Sequence, residues 1–139
     1  MISPELLFIE DFEELQRPLF RSGNADNPNF SRNRALKDIS IYDKNGITYV
    51  RANGNGFSTF DHITTGMKRQ GKNVWKIKKG AIIPAGLKIV HDRTPMKKGH
   101  FMIAPDKDMP LMKYLGLLQE LGSDTTKCVK LTPLEISNG

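Results

Sequence analysis

Leu6, Ile9, Phe12 and Leu15 recur at helical spacing behind Ser3-Pro4-Glu5, so residues 4 to 15 are expected to form an amphipathic helix with an acidic outer face. Ser3 would cap it, and Pro4 would take the first helical position, where its missing N–H is harmless. Beyond Pro18, Leu19-Phe20-Arg21-Ser22 predicts a short strand, residues 23 to 29 a polar loop rich in turn formers, and Arg32 to Lys37 a short helix. Ile39 and Ile41 lead into Asp43-Lys44-Asn45-Gly46, and Ile47 and Tyr49 lead out. That is a hairpin pattern, because Asn-Gly tolerates positive φ at both turn positions.

Residues 53 to 56, Asn-Gly-Asn-Gly, are either a plain connector or a backbone kept slim for close ligand approach. Residues 58 to 67 are expected to begin as strand and finish as helix. The pattern is then strand-like: Val74, Trp75 and Ile77; Ile82-Ile83; Leu87 to Val90; and Phe101-Met102-Ile103, with turns at residues 84–86 and 95–99. Asp108-Met109-Pro110 opens a helix through Leu111, Leu115, Leu118 and Leu121, stopped by Gly122, and a last strand is expected near 128 to 132. No internal repeat or low-complexity tract interrupts the chain, which reads as one strand-rich α+β domain over residues 1 to 139 with helices near both ends.

At 139 residues the chain is long enough to bury a core without disulfides or metals. Its single cysteine, Cys128, rules out an intramolecular disulfide and any cysteine-based zinc site, and it reads as a small buried hydrophobe suited to a reducing compartment. No apolar run approaches a membrane span, and the start lacks the basic region and apolar core of an export signal. The net charge is +6, yet the first sixteen residues hold five acids and no base, which leaves +11 on the remainder. Lys68, Arg69, Lys72, Lys76, Lys78 and Lys79 occur with no acid among them, a patch that attracts polyanions.

Three separated segments carry candidate chemistry. Arg21 with Ser22 and Gly23 ends an early strand, Ser58-Thr59-Phe60 opens a second, and His100 begins a late one; together they could surround a pyrophosphate and a ribose. A planar guanidinium suits phosphate, because it donates two parallel hydrogen bonds and stays charged at working pH. Ser58 and Thr59 point to opposite faces of an extended segment, so only one of them can meet a ligand. Phe60, or Phe57 on the other parity, could stack on an aromatic base. His100 could accept a hydrogen bond or assist proton transfer, with His91 and Asp92 as second choices. His62, His91 and His100 have no ligand spacing, so no metal is expected.

The Gly-rich approach to Ser58-Thr59-Phe60-Asp61, the segment from Ile83 to Asp92, the segment from His100 to Pro105 followed by Met109, and the strand arginine Arg21 resemble the type VI secretion exported effector two family of interbacterial toxins. The resemblance implies an ADP-ribosyltransferase-like fold: α+β, with two small packed, mostly antiparallel sheets and flanking helices. It implies NAD as substrate, with Arg21, Ser58, Thr59 and His100 in catalysis and Arg21, Ser22, Gly23, Ser58, Thr59 and Phe60 around the cofactor. It also implies delivery from the producer's cytoplasm into a recipient cell, and a cognate immunity protein, acidic to match the basic body. Many such enzymes use a late glutamate, and this chain has none between Glu14 and Glu120. Two other readings stand beside it: a basic nucleic-acid-binding module built on the lysine patch and Trp75, and a toxin on the same fold that acts by binding alone.

Overall fold

The computed structural model of the chain describes residues 7–10 and 13–139. In chain order the elements are β1 (Leu7–Glu10), β2 (Leu19–Ser22), α1 (Arg32–Asp38), β3 (Ile41–Lys44), β4 (Ile47–Val50), β5 (Phe57–Phe60) and α2 (Thr65–Gln70). They continue with β6 (Val74–Ile77), β7 (Leu87–Asp92), β8 (His100–Pro105), β9 (Met109–Pro110), α3 (Leu111–Ser123), β10 (Cys128–Lys130) and α4 (Pro133–Asn138). The described strands form one seven-stranded sheet, β1-β7-β8-β5-β2-β6-β10, and one three-stranded sheet, β3-β4-β9. Every pairing is antiparallel, which gives the α+β architecture of two sheets with flanking helices.

The two faces of the large sheet separate by parity. Phe57, Phe101, Ile103 and Ile89 point into the main core, where they meet Phe30 from the loop before α1, Val50 from the small sheet, and Tyr114, Leu118 and Leu121 from α3. The Tyr114 hydroxyl, buried in that core, donates to the Ile103 carbonyl at 2.5 Å. Phe20 and Val74 belong to a second cluster that also holds Met67 of α2 and Ile136 of α4, with Phe60 and Ile63 against it. The Asn45-Gly46 hairpin forms as expected, with φ of 53° and 79°.

Three expectations need correction. Residues 4 to 15 are extended, not helical, where they are described: β1 pairs with β7 from Leu7↔Asp92 to Glu10↔Ile89, Glu14 bridges Ile82, and the Leu15 amide donates to Ala81 O at 2.9 Å. Leu6-Leu7-Phe8-Ile9 is an unbroken apolar run, which fits a strand as well as a helix, and the open edge of β7 supplies the partner that a short helix would lack. The Ser3 cap and Pro4 start expected for that helix lie outside the described residues. Ile82-Ile83 forms only the bridge to Glu14, since Pro84 has no N–H to continue a ladder. Gly122 lies inside α3, where a Cβ would press on Pro28 and Phe30; it permits close packing and does not stop the helix. One further helix, α4, is unexpected from the sequence; it starts from a capping box between Thr132 and Glu135 with Pro133 in the first turn.

Candidate active site

Strands β2 and β5 are joined only at Phe20↔Phe60, and beyond that pair the large sheet splits. Arg21 fills the split. Its Nε donates to Pro28 O at 2.6 Å, one terminal nitrogen to Ser58 O at 2.8 Å and the other to Asn29 O at 2.9 Å. The guanidinium lies over the rings of Phe30 and Phe57, at 5.1 and 4.9 Å from their centroids. It is only 5% exposed, and burial lowers its pKa to about 10, which leaves it charged at neutral pH. A planar five-donor group can tie three carbonyls from two segments in this way, whereas an ammonium cannot match the fork.

Strand register places the remaining groups. Phe60 and Asp92 are the cross-strand partners of His100 on its two sides, and Ser58 pairs with Met102, two residues further along β8. With side chains alternating along each strand, Ser58, Phe60, His100 and Asp92 therefore share one face of the sheet, opposite the main core. On that face the His100 Nε2 lies 2.9 Å from Ser58 Oγ, and its Nδ1 lies 2.6 Å from Asp92 Oδ2. The other carboxylate oxygen, Oδ1, accepts from the Thr94 amide at 2.9 Å and the Thr94 hydroxyl at 2.6 Å. Burial works to raise the Asp92 pKa, but the bonds from Thr94 and His100 outweigh it and hold the carboxyl below its ordinary range. The Phe60 ring sits 5.1 Å from that of His100.

A cleft of about 420 Å³ opens over this arrangement, lined by Arg21, Ser22, Asn29, Arg34, Ser58, Phe60, Thr64 and Gln70 among others. The base at its rim is Arg34, whose Nε bonds Asp38 at 3.0 Å while 44% of its side chain is exposed. The cleft thus combines two guanidinium groups, a hydroxyl coupled to a histidine and carboxylate, and an aromatic ring. A polyphosphate ester of a ribose matches that set of donors.

The model of the family described as Tse2 ADP-ribosyltransferase toxin matches residues 15–128 of the chain. The chain belongs to this family. No curated protein and no solved structure matches it. The Tse2 match starts beyond the acidic segment at the front and encloses the split, the cleft and the Ser58, Asp92 and His100 positions.

Within this Tse2 chain, the residues singled out from the sequence fall into two groups. Ser22, Ser58 and Phe60 line the cleft with Arg21, and His100 stands directly behind Ser58. Thr59 and Gly23 do not line it. Thr59 is fully buried and donates to Phe101 O at 3.0 Å, so of the hydroxyl pair it is Ser58 that faces the cleft. The Gly23 amide bonds Asn73 O, and a Cβ there would strike Asn27 and Pro28. Phe57 is core. His91 stacks on Phe101 at 4.5 Å between ring centroids, and His62 bonds its neighbour Asp61 at 2.8 Å. Cys128 is buried, and burial pushes its thiol up to about 11. Among the described residues no cluster of His, Cys, Asp or Glu could hold a metal, and no helix is long and apolar enough to cross a membrane. Sequence reasoning missed Arg34 and Gln70, which only the docking of α1 and α2 brings to the cleft.

Proposed function

We propose that this toxin cleaves NAD in a recipient cell and transfers its ADP-ribose to a macromolecular acceptor, with water as the competing acceptor. The pyrophosphate lies toward Arg34 and the free N–H groups of Arg21; the nicotinamide ribose meets Ser58, and the nicotinamide ring meets Phe60. The bond between the ribose anomeric carbon and the ring nitrogen breaks, and its electron pair leaves with nicotinamide. The acceptor's lone pair then bonds that carbon, and its proton is released. The transition state resembles an oxocarbenium ion, so a polarised hydroxyl beside the anomeric carbon lowers the barrier.

The observation that carries this reading is the convergence of Arg21, Ser58 and His100 at the split between β2 and β5, beneath a cleft. Incubation with labelled NAD and bacterial lysate tests it. Label transfer or nicotinamide release that disappears in His100→Ala supports it; equal activity in both proteins, or none in either, refutes it. A thermal-shift titration with NAD gives an independent readout of binding.

Against the nucleic-acid alternative, the half-buried Trp75 ring packs against the main core and its Nε1 donates to Asn24 O at 2.9 Å, which favours the NAD reading. The lysine patch then serves as a field for anionic partners. We infer that these include an acidic immunity protein, which protects the producing cell by covering the cleft.

A further inference from the structure

We propose that Asp92 is a positioning residue, which holds His100 with its proton on Nδ1 so that Nε2 accepts a hydrogen bond from the Ser58 hydroxyl and Ser58 Oγ turns its lone pairs to the anomeric carbon. The proposal rests on the NAD reading above for its chemistry, but its structural half stands alone. In this chain the buried carboxylate stands in, at one remove, for the late glutamate that the sequence lacks.

The geometry is that of a relay. Asp92 is 1% exposed and His100 4%, so neither group gains its partners from water. An ionised carboxylate only accepts hydrogen bonds, and Asp92 receives three: two from Thr94 on Oδ1 and one from His100 Nδ1 on Oδ2. In the Nδ1–H tautomer, with Nδ1 committed as a donor, the ring presents a bare Nε2 to Ser58, 2.9 Å away. The Ser58 hydroxyl then donates backwards, away from the cleft, and keeps its oxygen free for developing positive charge. No bond to Ser58 forms and no proton need leave it. Phe60 and the turn before His100 fix the ring further: Gly99 has φ of 71°, and the His100 amide bonds Lys97 O at 3.3 Å.

Asp92→Asn tests the relay while keeping its shape. An amide has one acceptor and one donor end. The two Thr94 donors hold the carbonyl, so the NH₂ turns to His100 and forces Nδ1 to become the acceptor. The ring proton moves to Nε2, and the Ser58 bond reverses.

The experiment is a ¹⁵N-resolved NMR spectrum of the imidazole at pH 8, for wild type and Asp92→Asn, run beside nicotinamide release from NAD. Wild type is expected as the Nδ1–H tautomer, and the variant as Nε2–H with turnover reduced about 10²–10⁴-fold and NAD affinity retained. A wild-type Nε2–H tautomer or an imidazolium at that pH overturns the proposal, even if the variant does not fold. So does a variant that keeps the Nδ1–H tautomer or wild-type turnover. If wild type releases no nicotinamide, the NAD reading fails, and the two tautomers still decide the role of Asp92.

Discussion

Replacing Arg21 with lysine separates a structural role from a ligand-binding one. Arg21→Lys keeps the charge but loses the planar fork that joins Pro28 O, Asn29 O and Ser58 O across the split. An ammonium on this shorter reach can satisfy one of the three carbonyls, so two acceptors, at least one of them part-buried, lose their partner at about 1–3 kcal/mol each, with partial relief from water. The stack between Phe30 and Phe57 weakens as well. The expected loss is about 2–4 kcal/mol, which for a domain of this length lowers the melting temperature by roughly 6–12 °C. Urea denaturation of both proteins measures it. Were Arg21→Lys as stable as wild type yet unable to bind NAD, the keystone role would be refuted and Arg21 would be a phosphate ligand alone. The same numbers warn that lost activity in Arg21→Ala is poor evidence for phosphate binding, since the cleft wall itself goes with the side chain.

Thr59→Val, which removes the hydroxyl donor from the buried Phe101 carbonyl, is expected to cost about 1 kcal/mol in urea unfolding with nicotinamide release unchanged; abolished release in a folded variant would place Thr59 in the chemistry. Because the Asp92 carboxyl is held below its ordinary range, its stabilising contribution is complete above the unfolded value near 3.8 and is lost as pH falls through the lower folded value. The stability gap between wild type and Asp92→Asn should therefore close below about pH 4, and a gap that closes near neutrality would contradict this. Gly99→Ala introduces a side chain at φ of 71° and against the Asp61 carboxylate, for an expected loss of roughly 1–3 kcal/mol; a neutral effect on thermal unfolding would show that the turn before His100 is not constrained.

Much of this site is legible in the order of residues, because a strand's alternation is local. Phe57-Ser58-Thr59-Phe60 announces two faces, and Asn45-Gly46 announces its turn through backbone sterics alone. Which face meets the cleft depends on register, and register is non-local: Ser58 and Asp92 become neighbours of His100 only through the pairing of β5, β8 and β7. Asp92 consequently ranks behind His100 when read from sequence, although it is the carboxylate that His100 touches. The segment around residues 7–10 is misread for the complementary reason, since a short apolar run fits either period and the choice rests with a strand eighty residues away. The capping box at Thr132-Pro133-Leu134-Glu135 was within reach of local reasoning, and its four residues specify the start of α4 without tertiary help.

The central claim is that NAD occupies the cleft over the split between β2 and β5. Titration of ¹⁵N-labelled protein with NAD tests it most directly. The account predicts amide shifts concentrated at Ser22, Arg34, Ser58, Phe60 and Gln70. A second cavity, lined by residues 26–31 with Gln119 and Ser123, shares Asn29 with the cleft and opens on the other side of that segment. Shifts confined to that cavity, or no shifts at saturating NAD, would contradict the account.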